Sequence, residues 1–138
     1  MAESITVSTN VNVPVALAWT TWTKAEHITN WNFASPDWEC PSASNNPVAG
    51  GEFSYRMAAK DGSMGFDFQG TYSQVIPLEL LEFSLGDRAV SVKFEAVSSS
   101  ETKIIETFEI EDVNSSELQR SGWQAILDNY KLHTERVA

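Results

Sequence analysis

Apolar and polar residues alternate from the start of the chain. Ile5, Val7, Thr9 and Val11 fall on one side, Ser4, Thr6, Ser8 and Asn10 on the other. A period of two predicts a half-buried strand. The period then lengthens. Val15, Ala18, Trp19 and Trp22 recur at three and four residues, which predicts a helix whose first turn Pro14 suits. Thr23 and Glu26 have the spacing of a capping box. They predict a second short helix that carries Ile28 and leads into Trp31.

No period survives from Asn32 to Gly50. Pro36, Pro41 and Pro47 interrupt the stretch, with Ser and Asn between them. A structureless loop of this length is uncommon unless it is functional or mobile. Phe33, Trp38 and Cys40 also give it apolar residues that a solvated linker does not need. The segment is expected to be a flap, with Trp38 anchoring its closed form.

Alternation returns five times after Gly51. The inward sets are Phe53, Tyr55 and Met57; Phe66, Phe68, Gly70 and Tyr72; Leu81, Phe83 and Leu85; Val90, Val92, Phe94 and Ala96; and finally Ile104 to Ile110. Asp61-Gly62 and Gly86-Asp87 mark turns, Ser98 to Ser100 reads as a polar loop, and Pro77 ends or bulges its strand. The closing stretch, Ser115 to Val137, predicts the longest helix. Trp123, Ile126, Leu127, Tyr130, His133 and Val137 share one face, and Glu117 lies in the first turn, where an acid suits the helix dipole. Gly122 interrupts this helix and marks either simple tolerance or a close backbone approach. Five strands joined by short turns read as an antiparallel meander. The expectation is one α+β domain over residues 1–138. Its six-stranded curved antiparallel sheet wraps around the long C-terminal helix, with two short helices after strand one.

The sixth strand supplies the candidate chemistry. In one register Ile104, Glu106, Phe108 and Ile110 face the helix. In the other, Lys103, Ile105, Thr107 and Glu109 do. A one-residue slip turns every side chain over, so the register that buries three apolar residues is favoured. Glu106 then points inward, opposite Phe94 on the fifth strand. A buried carboxylate must be paired, hydrated or protonated. Tyr55, Tyr72, Tyr130 or His133 are the candidate donors, and Arg88 or Arg56 the less favoured ion partners. Arg88, beside a turn, is expected to reach solvent. A rim position for Glu106, in contact with water, stays open.

Seven Phe, five Trp and three Tyr are a heavy aromatic load for 138 residues. Trp31, Trp38, Phe53, Tyr55, Phe68, Tyr72, Phe83, Phe94 and Trp123 fall on inward or flap positions. With Glu106, Leu127 and Tyr130 they form the candidate ligand-binding cavity, the other reading being an ordinary packed core.

Charge narrows the partners. The formal net charge is −10, and nine Lys and Arg are scattered, which argues against nucleic acid. No run of about 18 apolar residues exists, so no membrane insertion is expected. The lone Cys40, without a leader-like start, points to the cytoplasm. One Cys and two distant His announce no metal site. No catalytic residue and no cofactor is assigned. His27 is expected on a helix surface, and His133 on the helix face or at the end of the cavity.

Several segments together carry a family resemblance. They are Pro14 through Trp19, Trp31, Gly50-Gly51 with Phe53, and Asp61-Gly62. They continue with Gly70-Thr71-Tyr72 leading to Val75-Ile76-Pro77, then Ser121-Gly122-Trp123 with Leu127. In order and spacing the chain resembles the START-like (SRPBCC, helix-grip) superfamily. Within it, the likeness is to the branch related to the C-terminal domain of the activator of the heat-shock protein 90 ATPase. The resemblance implies a cavity between sheet and long helix, in a family of lipid carriers, polyketide cyclases and aromatases, and co-chaperone domains. The expected function is therefore binding of a small, mostly apolar molecule. An enzyme of cyclase or aromatase type and a protein-interaction module with a chaperone partner are the alternatives, and a homodimer is left open.

Overall fold

The computed structural model describes residues 3–138. Strand β1 (Ser4–Val11) is followed by helices α1 (Val15–Thr23) and α2 (Ala25–Ile28). Six strands come next: β2 (Trp38–Asn45), β3 (Glu52–Ala59), β4 (Gly65–Ile76), β5 (Leu80–Leu85), β6 (Arg88–Ser98) and β7 (Glu101–Glu109). Helix α3 (Ser116–Arg136) closes the chain. All seven strands form one antiparallel sheet in the order β1-β7-β6-β5-β4-β3-β2. The sheet curls, and α3 lies against it, packing closely along β1.

The seventh strand corrects the expected flap. Part of Asn32–Gly50 is β2, an edge strand paired to β3. Its pairing slips between Glu39 and Ser42, where Pro41 sits. A proline is tolerated there because an edge strand needs only one side of its ladder and a bulge releases the missing donor. Trp38 opens β2 half-buried beside Phe66, with ring centroids 6.0 Å apart.

Helix ends follow from nearby side chains. Ser115 caps α3, its hydroxyl accepting from the Leu118 amide at 3.1 Å. Pro14 is the N-cap of α1 rather than its first helical residue. The capping box expected at Thr23 does not form: Lys24 is the N-cap of α2, and the Thr23 hydroxyl instead donates to the Trp19 carbonyl at 2.7 Å. The last carbonyls of a helix lack helical donors. In α1 two of them are met from elsewhere, Thr21 by the Trp31 indole N–H at 2.9 Å and Thr23 by the Asn45 amide at 2.7 Å.

The core runs from α1 through α3 to the sheet. Trp22 packs on Trp31 and Tyr130, with centroids 5.0 and 4.8 Å away. The Tyr130 hydroxyl donates to the Ala18 carbonyl at 2.6 Å, and Thr21 bonds Thr134 at 2.9 Å. The face of α3 is shifted from the expected one. Gln119, Leu127, Tyr130 and Thr134 are buried, whereas Val137 is exposed. Along β7, Thr102, Ile104, Glu106 and Phe108 are buried, which is the favoured register. Glu106 pairs with Val92 on β6 and Val7 on β1; Phe94 pairs with Ile104. The expected Glu106–Phe94 pairing is thus displaced by two residues.

Candidate functional site

Between the sheet and α3 lies a cavity of about 390 Å³. Eight of the twelve candidate residues line it: Trp31, Phe53, Tyr55, Phe68, Tyr72, Phe83, Glu106 and Trp123. Four do not. Trp38 is on the β2 edge, Leu127 is buried in the core, Tyr130 packs on Trp22 of α1, and Phe94 packs edge-on against Trp19 and Trp22. Phe94 has the strand parity of the cavity residues, and Leu127 and Tyr130 share a helix face with Trp123, but all three lie at the wrong depth along their elements.

The walls are a continuous aromatic surface. Phe53 on β3 touches Tyr55, Tyr72 and Phe83, with centroids 5.0, 5.3 and 5.0 Å apart. Its ring lies over Gly70 of β4, where a Cβ would come within 2.8 Å of it. Trp123 on α3 stacks on Phe108 of β7 at 4.0 Å and meets Phe68 of β4 edge-on at 6.2 Å. Gly122 also lines the cavity, yet a Cβ there would meet nothing within 4 Å. No backbone approaches it; the missing side chain leaves the space open.

Few polar groups interrupt these walls. Glu106 is 6% exposed, and none of the expected donors or cations bonds to it among the described residues. Burial alone pushes its carboxyl up to about 8. Unpaired and buried, its carboxyl favours the protonated form. The Tyr55 hydroxyl sits beside that of Tyr72 without the geometry of a full hydrogen bond. Burial raises its phenol well above the usual value, with Tyr72, Cys40 and Glu106 adding to the rise. Tyr72 is better placed and donates to Asn45 at 2.7 Å; burial still lifts it to about 12. Asn32 is buried, and its amide nitrogen has no partner.

Sequence reasoning missed several lining residues. Arg88 does not simply reach solvent: it is half-buried in the cavity wall and donates to the Glu109 carbonyl at 3.3 Å. Gln119 also lines the cavity and ties the β7–α3 connection. Its amide donates to the carbonyls of Glu111 and Asn114 at 3.0 and 2.9 Å, and its oxygen accepts from the Glu111 amide at 2.9 Å. The polar face of a helix gives no signal for such a residue. Arg88 shares parity with Val90 and Val92, but the adjoining turn pointed to solvent.

The histidines meet outside the cavity. Nδ1 of His27 and Nε2 of His133 lie 2.9 Å apart, joining α2 to the last turn of α3. Burial, then His27 and Arg136, hold His133 below its ordinary 6.5. An NMR titration of His133 is expected to show a midpoint below that value. A midpoint at or above it would mean that the pair is open in solution.

A family model described as "Activator of Hsp90 ATPase homolog 1-like protein" matches residues 12–134. No curated protein matches the chain. The solution structure of the AHSA1-like protein from Aeromonas hydrophila is 37% identical, with a TM-score of 0.91 over 98% of this chain and 94% of that one. A Cytophaga hutchinsonii protein is 45% identical, with a TM-score of 0.82 over 97% and 93% of the two chains. A Nitrosomonas europaea protein, 17% identical over 97% and 95%, shares the fold with a TM-score of 0.81.

Proposed function

The chain belongs to the activator of Hsp90 ATPase homolog 1-like family, and from that premise we propose that it binds a small, mostly apolar molecule between the sheet and α3. One observation carries the reading. A cavity of about 390 Å³, at the small end for drug-sized ligands, is walled by aromatic rings around one buried acid, Glu106. Apolar walls with few placed polar groups are what a small-molecule site requires, because the walls supply affinity and the polar group orients the guest. No helix among the described residues is long and apolar enough to cross a membrane; separately, the site of action proposed is the cytoplasm.

Gly122 provides the test. A side chain added at this lining residue starts in open space, and leucine replaces a poor helix former, worth on the order of 0.5–1 kcal/mol. Gly122→Leu is therefore expected to keep or raise the melting temperature while weakening uptake of the neutral fluorophore N-phenyl-naphthylamine at least about tenfold. Equal uptake by wild type and variant would place binding elsewhere. The family description favours a chaperone partner as the second reading. A chaperone complex that forms equally well with Gly122→Leu would support that reading over the first.

A further inference from the structure

We infer that the molecule taken up is a cation: an apolar or aromatic amine or quaternary ammonium whose charged group rests on Glu106. The inference depends on the cavity reading above and adds the chemistry of its guest. Among the described residues Glu106 is the only buried acid lining the cavity, and no protein cation serves it. The two ion pairs among the described residues, Arg56–Asp67 and Lys131–Glu135, use other groups.

The groups facing Glu106 can be named element by element. β1 presents Val7 and β6 presents Val92, its two pairing partners. α3 contributes Leu118, Gln119, Gly122, Trp123 and Ile126 to the cavity, none of them charged. β3 contributes Tyr55. Arg88 lies four residues along β6 from Val92, ~13 Å at strand spacing, and is turned to the Glu109 carbonyl. Glu111, on the connection between β7 and α3, is a second acid rather than a counter-ion.

What surrounds Glu106 suits a cation. Aromatic rings carry negative faces, and a cation over them gains electrostatically, most when water is excluded. Trp123, Phe68, Tyr55 and Phe83 all contribute to this wall. The chain's formal net charge of −10 draws cations toward it. Once ionised, the acid is stabilised by a cation, gains nothing from a neutral apolar guest and repels an anion.

Binding then carries a proton balance. Below about pH 8 the carboxyl holds its proton. A permanent cation displaces it: the O–H bond of Glu106 breaks, the proton goes to solvent, and a carboxylate–cation pair remains. Affinity for such a cation should rise about tenfold per pH unit up to about pH 8 and level off above.

Three probes of one shape test this by calorimetry on the whole chain: naphthylmethyl-trimethylammonium, its uncharged isostere neopentylnaphthalene, and naphthylacetate. The ammonium is expected to bind at least about tenfold more tightly than the isostere at about pH 9, with naphthylacetate weakest. At about pH 6 its binding should release close to one proton, read from two buffers of different ionisation enthalpy. Glu106→Gln should remove both the preference and the pH slope while still binding the isostere. An isostere that binds the wild type as well as the ammonium, or a preference that survives in Glu106→Gln, overturns the cation assignment and leaves the cavity reading standing. Failure of all three probes to bind overturns both.

Discussion

Trp31→Ala is expected to cost the fold about 3–5 kcal/mol, the range for removing a buried aromatic ring. Trp31 is 2% exposed. Its ring lies 5.0 Å from Trp22 and edge-on to Tyr130 at 5.2 Å, so it joins the strip after α2 to both other helices. Its indole N–H also meets the Thr21 carbonyl at 2.9 Å, in the last turn of α1. Alanine leaves a cavity and an unmet carbonyl together. The surroundings have little freedom to collapse, because Tyr130 is pinned by its bond to Ala18 and the next segment by Asn129, which donates to the Phe33 carbonyl at 2.6 Å. Trp31→Phe separates the two losses. It keeps most of the ring and gives up the hydrogen bond, for about 1–3 kcal/mol. Urea denaturation of both variants measures the difference. A cost below about 1 kcal/mol for Trp31→Ala would show that the three-helix aromatic contact does not hold α2 in place.

What could be read from the sequence was what repeats along it. Alternation located β1 and β3 to β7, and the three-and-four spacing located α3, because burial on one face forces a period. Strand β2 was illegible for a physical reason. As an edge strand carrying Pro41 and a bulge, it presents Ser42, Ser44 and Asn45 where a central strand would present valines. Parity likewise turned Glu106 inward, since the alternative face would bury Lys103 and Glu109. Its cross-strand partner was not legible. The pairing of β6 with β7 is fixed by a slip between Ala96 and Ser98, among serines that carry no marker of where the chain turns. Depth along an element was equally hidden. Phe94 and Tyr130 have the inward parity of cavity residues but fall beneath α1, and only the packing of Trp19 and Trp22 decides that.

Glu106→Gln is expected to leave stability unchanged at about pH 4 and to raise it by several kcal/mol at about pH 9. The sign follows from the direction of the shift. The folded carboxyl sits at about 8, against 4.5 for the exposed group. Below 4.5 both states hold the proton, and ionisation costs nothing. As pH rises, the unfolded chain releases its proton first, so stability falls until the folded state also ionises near pH 8. At about 1.4 kcal/mol per pH unit the loss is on the order of 5 kcal/mol, a large share of the stability of a domain this size. Glutamine keeps the shape and cannot ionise, so the wild-type and variant curves should meet in acid and diverge in alkali. Comparing them by urea denaturation at matched pH cancels the other carboxylates. Parallel curves would mean that Glu106 ionises freely in the folded protein, hydrated within the cavity, and the argument from its lack of a partner would fall. Divergence would show an acid held against folding stability where Val7 and Val92, its neighbours across the sheet, show that an apolar residue fits. A saturating cation should then restore wild-type stability at alkaline pH, by an amount set by its concentration relative to Kd, and stabilise Glu106→Gln less.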